Sequence, residues 1–225
     1  MPLICIDGPN GAGKTTQAEL LASRLVDEQN LDNPFVFFDP GVSDDHAADG
    51  IRDLARMGSW RHVLTRAMLF MAARCELVAE INKILAQKPK AWVILDRYIP
   101  SFCVYQLDDF LKISGGVMSL AIERMNAIHD MIGAPGPAAT FILNIDPTLG
   151  IERYRKVSHG KLDVFEKDVD RMYAMYHRYQ QLLLFWPSFR RLGPKHVIDV
   201  DNLDVNGVHE AMWNVLKNQF KGEIW

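Results

Sequence analysis

Short apolar runs rich in β-branched and aromatic residues alternate along the chain with longer segments of helical periodicity. The apolar runs are LICID at 3–7, FVFFD at 35–39, WVILD at 92–96, FILNID at 141–146 and HVIDVD at 196–201. The helical segments lie at 14–29, 60–88, 117–132, 165–186 and 205–220. Strands that alternate with helices are typical of a parallel sheet. The pattern predicts a single α/β domain over residues 1–225, with a five-stranded parallel sheet flanked by helices.

Each apolar run ends at an aspartate, and the five are Asp7, Asp39, Asp96, Asp146 and Asp201. Ligands of open parallel sheets bind beyond the carboxyl ends of the strands, so carboxylates at that edge suit a site built around a cation. Aspartate is also a common turn former. The turn interpretation is at least as good for Asp7, Asp146 and Asp201.

A glycine-rich loop, GPNGAGKT at 8–15, lies between the first strand and the first helix. It fits G-x-x-x-x-G-K-[ST] in full, and its glycines let backbone N–H groups wrap a polyphosphate. Lys14 would reach the β- and γ-phosphates, and the Thr15 hydroxyl would bind Mg²⁺. The loop predicts a P-loop NTPase fold that binds ATP and Mg²⁺ through Gly8, Pro9, Asn10, Gly11, Ala12, Gly13, Lys14, Thr15 and Thr16.

The composition narrows the classes of function. Hydrophobic residues make up 48% and charged residues 24% of the chain, as in an ordinary soluble globular protein. The formal net charge of −3 argues against a broad basic surface for nucleic acid. The apolar stretches are too short to cross a membrane, and no leader precedes the first strand. We therefore expect a cytoplasmic protein with reduced cysteines.

The segment AWVILDRYIPSFCVYQ at 91–106 carries a second set of candidate residues. Asp96, at a strand end, can hold Mg²⁺ together with Thr15. Arg97 offers a planar fork for a phosphoryl group. An arginine beside a metal ligand suits transfer between two phosphates, where negative charge accumulates. Arg97 and Lys14 are therefore the predicted catalytic cations, and an exposed Asp–Arg pair that simply ends a strand is an equally good interpretation of Asp96 and Arg97 at this point.

The pattern formed by Asp-Arg-Tyr, Ser101 and Tyr105-Gln106 resembles the thymidylate kinase family, whose motif is DRY-x-x-S-x-x-x-Y-Q. Further family-like pieces follow in the family's order: IDGPNGAGKTTQ, Asp39-Pro40-Gly41, Ile51-Arg52, LFMAAR at 69–74, FILNIDP at 141–147, GIERYRK at 150–156, GKLDVFE at 160–166 and VIDVD at 197–201. The resemblance implies phosphorylation of dTMP to dTDP by ATP and Mg²⁺, a step in dTTP biosynthesis, by a homodimer.

The resemblance also implies an acceptor pocket. The residue matching Phe70 stacks on the thymine ring, and the residue matching Arg74 reaches a base carbonyl. They are four residues apart and share a helix face. Without the family context, a core Phe70 and a solvated Arg74 would be the simpler interpretation. Tyr105 matches a tyrosine that crowds the sugar 2′ position, which implies a preference for deoxyribose. The other implied acceptor residues are Asn10, Asp39, Arg97, Ser101, Phe102 and Gln106.

Residues 150–171 are dense in charge, which is usually the mark of solvated surface. The resemblance implies a lid at about 150–166 that closes over ATP and excludes water. Gly11 stands where one branch of the family has arginine. The lid is therefore expected to supply the extra catalytic cation, from Arg153 or Arg155.

Several positions depart from the family's pattern. Asn10 replaces an acidic residue, Phe102 stands where Ser, Gly or Asn is usual, and Phe38 replaces an arginine. Val164 occurs where arginine often follows the lid aspartate. These differences loosen the identity of the acceptor and leave the type of reaction unchanged.

Three alternatives stay open. The first is a related kinase for another deoxynucleotide, such as dUMP, or for a deoxynucleoside. The second is an ABC-type ATPase subunit, but a loop that starts at residue 8 leaves no room for the preceding β-subdomain of that class, and Pro147 replaces its usual glutamate. The third is a nucleotide-binding regulatory module without turnover.

Overall fold

The structure, a computed structural model, describes residues 2–29, 34–38, 46–57, 60–157 and 169–221. Its strands are β1 (Leu3–Asp7), β2 (Phe35–Phe38), β3 (Val93–Asp96), β4 (Ala139–Asn144) and β5 (Lys195–Asp199). They form one sheet in the order β2-β3-β1-β4-β5, and every pair is parallel. The predicted five-stranded parallel sheet flanked by helices is confirmed.

The helices are α1 (Lys14–Gln29), α2 (His46–Arg56), α3 (Thr65–Gln87), α4 (Ile99–Ile113), α5 (Met118–Met131), α6 (Pro147–Val157), α7 (Val169–Phe185) and α8 (Val205–Gln219). The bounds of α1 equal the predicted ones, and α3, α5, α7 and α8 lie inside predicted segments. Periodicity did not predict α2, α4 or α6.

Both faces of the sheet are covered by helices, so side chains that alternate along a strand enter two different cores. On β1, Leu3 and Cys5 lie in a hydrophobic cluster with residues of α3, α4 and α5. Ile4 and Ile6 lie in a second cluster with residues of α1 and α8. Because both faces are buried, the strands are near-continuous apolar runs rather than alternating ones.

The central position of β1 builds the site. Its carboxyl end lies beside that of β3, with Ile6 paired to Asp96. The backbone N–H of Arg97 donates to the Ile6 carbonyl at 2.9 Å. The glycine loop after β1 and the turn after β3 therefore emerge next to each other at one sheet edge. Among the helices that the structure describes, none has an apolar stretch of the length a membrane span requires.

Candidate active site

The loop between β1 and α1 has a backbone that requires glycine. Gly8 and Gly11 have φ values of 143° and 81°, a region that side-chain-bearing residues rarely adopt. An added Cβ would lie 2.5 Å from the Leu143 carbonyl oxygen at position 8 and 2.1 Å from the Gly150 carbonyl oxygen at position 11. The loop is thus closely packed against β4 and α6, which holds its backbone in place before any nucleotide binds.

Lys14 is folded over this loop. Its Nζ donates to the Pro9 carbonyl at 2.7 Å, and the side chain is 7% exposed. Burial lowers the pKa of Lys14 to about 7, with a further contribution from the positive charge of Arg97, while Asp96 and Asp7 oppose the shift. An anionic phosphate placed here would favour the charged ammonium and raise the pKa again.

This shift predicts a pH dependence of ATP binding. Above pH 7 the free Lys14 amine is mostly neutral, so ATP binding should take up on the order of one proton, and affinity should fall as pH rises. Calorimetry at pH 8 in buffers of different ionisation enthalpy measures the uptake. A Lys14→Arg variant, which stays charged, corrects for the titration of ATP itself. Equal proton uptake by both proteins would contradict the prediction.

Asp96 and Thr15 form the candidate metal site. The Thr15 hydroxyl donates to Asp96 Oδ2. Asp96 Oδ1 is buried and has no hydrogen-bond partner among the described residues. A buried carboxylate oxygen without a donor suits a cation or a cation-bound water, so these residues fit Mg²⁺. The described ranges contain no group of three metal-ligating side chains, and Mg²⁺ at substrate phosphates needs only one or two carboxylates.

Arg97 spans from the turn after β3 to the glycine loop. Its Nη1 donates to the Gly8 carbonyl at 3.3 Å and to Ser101 Oγ at 3.0 Å. The same nitrogen lies 3.3 Å from the Tyr179 hydroxyl, and Nη2 donates to Asn10 Oδ1. In the described part of the chain, Arg97 is the one non-glycine residue with positive φ, at 70°. Such a strained backbone persists only where the surroundings hold it, and it is common at functional sites.

Asp7 is the anchor beneath Arg97. It is 0% exposed, and its two oxygens accept five hydrogen bonds. The donors are the backbone N–H groups of Gly8, Tyr98 and Ser101 and the hydroxyls of Ser101 and Tyr179. This carboxylate therefore ties β1 to the start of α4 and to α7. The interpretation of Asp7 as a simple turn former explains its hydrogen bond to Gly8 and none of the other four.

The simple interpretations of Phe70 and Arg74 are wrong. Among the residues that the structure describes, Phe70 is half-buried and belongs to neither hydrophobic cluster. Arg74 is 2% exposed rather than solvated. Its Nη2 donates to the Tyr98 carbonyl at 3.3 Å, and its guanidinium carbon lies 5.1 Å from the centre of the Phe102 ring. Phe102 is 3% exposed and lies in the core against this guanidinium.

A buried histidine on α5 completes the surroundings of Arg74. Burial, then the charge of Arg74, lowers the pKa of His129 to about 3, so the ring is neutral. His129 Nδ1 lies 2.8 Å from the Met125 carbonyl oxygen and must carry the proton, since a carbonyl can only accept. Nε2 is then free to accept from Arg74 Nη1 at 3.4 Å.

Two more predicted acceptor residues lie on α4. Tyr105 is half-buried, with its ring centre 5.8 Å from the guanidinium carbon of Arg97. Gln106 is 3% exposed, and within the described ranges its Oε1 has no hydrogen-bond partner. Asp39 lies outside the described residues.

Comparisons with known proteins assign the family. The model of the family described as "Thymidylate kinase" matches residues 6–185. The chain belongs to the thymidylate kinase family. The thymidylate kinase of Symbiobacterium thermophilum is 36% identical over 156 residues, which is 67% of this chain. The match covers 65% of that relative, so the chain spans just under two thirds of its length.

Solved thymidylate kinases share the fold. The Candida albicans structure is 20% identical with a TM-score of 0.66, and the match covers 96% of this chain and 91% of that one. The Ehrlichia chaffeensis structure is 23% identical with a TM-score of 0.66, and the match covers 96% of this chain and 98% of that one. At identities of 20% and 23%, these structures support the fold and nothing about the activity.

In this thymidylate kinase family member, α6 carries both candidate lid arginines. Arg153 is partly exposed and Arg155 is exposed. The rest of the predicted lid, from 158 onwards, lies outside the described residues. The Gly150 carbonyl in the first half of α6 packs against Gly11 of the phosphate loop. This contact leaves no space at position 11 for the arginine that one branch of the family has there. A lid cation thus stays a prediction.

The strand-end aspartates differ in what they do. Asp146 Oδ1 accepts from the backbone N–H groups of Thr148 and Leu149 at the start of α6. Asp201 Oδ1 accepts from the Asp146 backbone N–H at 2.7 Å. The turn interpretation is confirmed for Asp146, which caps the start of α6, whereas Asp201 lies in a turn but its side chain bonds a residue 55 positions away. β4 and β5 end two residues before them because the chain turns there.

Sequence reasoning missed the tyrosines of α7. The Tyr176 hydroxyl donates to the Asn10 carbonyl at 2.7 Å, and the Tyr179 hydroxyl donates to Asp7 Oδ1 at 2.7 Å. They are three residues apart and share a helix face. The three-residue spacing was the only feature of the sequence that pointed to these tyrosines. It did not show which part of the protein this helix face would contact.

Proposed function

We propose that this chain transfers the γ-phosphoryl group of ATP to dTMP and produces dTDP. The observation that carries the proposal is the position of Arg97, whose guanidinium donates to the backbone of the phosphate loop and reaches the Asn10 side chain. A cation there can neutralise charge on a phosphoryl group that leaves the loop. Membership of the thymidylate kinase family supports dTMP as the acceptor.

The residues divide the work of an in-line transfer. The loop amides and Lys14 bind the β- and γ-phosphates of ATP, and Arg97 neutralises the charge that spreads over the moving group. An oxygen of the acceptor phosphate attacks the γ-phosphorus, the bond from that phosphorus to the β–γ bridging oxygen breaks, and ADP leaves. The acceptor oxygen is already anionic, so no general base is needed.

Thr15 and Asp96 would hold Mg²⁺. The ion, when bound, supplies positive charge to the β- and γ-phosphate oxygens. The Thr15 hydroxyl already orients Asp96 Oδ2, which leaves Oδ1 free for a ligand. Burial of Asp96, which is 5% exposed, keeps its carboxylate in one position.

The acceptor base and sugar would lie against the face of α3 and α4 that carries Phe70, Arg74 and Tyr105. A half-buried aromatic ring outside the described cores offers dispersion contact to a flat base. Arg74 would reach a base carbonyl, and Tyr105 would favour deoxyribose. Ser101, Gln106, Phe102, Asn10 and Asp39 complete the proposed acceptor set.

A lid at 150–166 would exclude water during transfer, with Arg153 or Arg155 as an extra cation. The family resemblance is also the basis for a homodimer that serves dTTP biosynthesis, and the cysteine usage is the basis for a cytoplasmic setting. The single-domain organisation over 1–225 belongs to the same proposal.

A phosphotransfer assay tests the proposed function. Purified protein with ATP and Mg²⁺ is given dTMP, dUMP, dCMP, dAMP, dGMP or thymidine, and ADP and phosphorylated product are quantified. We expect dTMP to have the highest kcat/KM. Another best acceptor would point to the related kinase, acceptor-independent ADP production to an ATPase, and no turnover to a binding module.

The Phe70→Ala variant should raise the KM for dTMP by about 10-fold to 100-fold and leave the KM for ATP unchanged, since one stacked ring is lost. Steady-state kinetics with each substrate in turn measure both constants. Met68→Ala, which removes a 42% exposed side chain two residues away on α3, is the matched control. An equal rise in both constants would show that Phe70 acts on the fold rather than on the acceptor.

A further inference from the structure

A hydroxyl from α7 lies between the buried carboxylate of β1 and Arg97: the Tyr179 hydroxyl donates to Asp7 Oδ1 and accepts from Arg97 Nη1. We infer that Tyr179 is a positioning residue for Arg97, acting together with Asp7 and Ser101. The inference rests on the proposed function, because it assumes that Arg97 serves phosphoryl transfer. No substrate contact is assigned to Tyr179.

The bonds that end on Asp7 have one direction, because an ionised carboxylate can only accept. The Ser101 hydroxyl donates to Asp7 Oδ1 at 2.8 Å, and the Tyr179 hydroxyl donates to the same oxygen at 2.7 Å. A hydroxyl has one proton, so both oxygens then present only lone pairs to their other neighbours. Arg97 Nη1 faces these lone pairs, at 3.0 Å for Ser101 and 3.3 Å for Tyr179, and it also faces the Gly8 carbonyl at 3.3 Å, so its two protons are shared among three acceptors.

The two hydroxyls thus form a pair of parallel bridges between a buried carboxylate and a guanidinium. Tyr179 is 1% exposed and Ser101 is 7% exposed, so water cannot replace either bridge easily. Burial, then the charge of Asp7, holds the pKa of Tyr179 well above its ordinary value, so the hydroxyl keeps its proton. In such a dry site, hydrogen bonds that end on a charge strengthen one another.

The hydrogen bonds of the side chain are needed because the backbone of Arg97 does not by itself determine where the guanidinium lies. Its φ of 70° places it at a sharp turn directly after β3, and a long side chain from such a turn has many rotamers. The bridges hold Nη1, while Nη2 is left to donate to Asn10 Oδ1 in the phosphate loop. A shift of about 1 Å in a catalytic group can cost on the order of 100-fold in rate.

The Tyr179→Phe variant tests the inference, because it removes one hydroxyl and keeps the buried ring. We expect kcat with ATP and dTMP to fall by about 10-fold, with both KM values within about 2-fold of wild type. Tyr173→Phe is the matched control on the same helix. The Tyr173 hydroxyl lies 3.3 Å from the Thr148 hydroxyl, away from Arg97, so kcat should stay at the wild-type value.

A double-mutant cycle separates positioning from general stability. If Tyr179 acts through Arg97, the Tyr179→Phe change should lower kcat by less than about 2-fold in an Arg97→Ala background. A full 10-fold loss in that background, or a normal kcat in the single variant, would overturn the inference while the kinase function stands. Lack of any phosphoryl transfer by the wild-type protein would overturn the proposed function and the inference together.

Discussion

The Arg97→Ala variant should have a kcat lower by about 10³-fold, with little change in the free energy of unfolding. The guanidinium is the cation that reaches from the turn after β3 to the phosphate loop, where it donates to the Gly8 carbonyl and the Asn10 side chain. Removal of a preorganised donor that stabilises charge in the transition state lowers kcat by about 10²-fold to 10³-fold. Steady-state and single-turnover assays with ATP and dTMP measure the loss.

Two further variants at this position sharpen the test. Arg97→Gly removes the guanidinium and suits the φ of 70° better than alanine, so it should match Arg97→Ala in activity and exceed it in stability. Arg97→Lys keeps the charge and loses the fork that serves Nη1 and Nη2 separately, so its activity should be intermediate. A near-normal kcat for Arg97→Ala would remove Arg97 from the mechanism.

The Asp7→Ala variant should lose about 3–5 kcal/mol of the free energy of unfolding, the cost of removing one partner from a buried charged network. Five donors would lose their acceptor, among them three backbone N–H groups that cannot turn to water. Urea denaturation followed by circular dichroism measures the change. A wild-type unfolding curve for Asp7→Ala would show that the network carries little stability.

Asp146→Ala and Asp7→Asn are the matched variants. Asp146 also lies near the end of a strand, but it is exposed and caps α6, so its loss should cost about 1 kcal/mol. In Asp7→Asn the amide nitrogen must face donors in either orientation. Oδ2 meets the backbone N–H groups of Tyr98 and Ser101, and Oδ1 meets that of Gly8 and two hydroxyls. The cost should therefore lie between those of the two alanine variants.

The sheet and the phosphate loop could be predicted because their signals are local. The apolar runs predicted every strand, and the bounds of α1 were correct because a fixed loop motif precedes it. α6 was missed as a regular element because its dense charge indicated solvated surface rather than a packed helix. α3 begins at Thr65 rather than at 60, because apolar residues 63–64 continue the pattern ahead of the helix.

The interior of the site was predicted less well. The sequence placed Lys14, Thr15, Asp96 and Arg97 at one sheet edge, and the structure brings them together there. Phe102 is buried in the core against Arg74, which the sequence did not indicate, and its place beside the acceptor base stays a proposal. Nothing in the residues around Arg74 indicated that His129, 55 residues later, would be its neutral partner.

By itself, the sequence determined the strands, the phosphate loop and the family, because period, glycine spacing and motif order are properties of contiguous residues. Only the tertiary structure decided that Asp7 is an anchor for five donors and that Tyr179, 172 residues away in the chain, is one of them. The physical reason is that a buried hydrogen bond depends on which helix packs on which strand end. Which helix packs on which strand end depends on the apolar area buried in both hydrophobic clusters together, and it cannot be read from a short stretch of sequence.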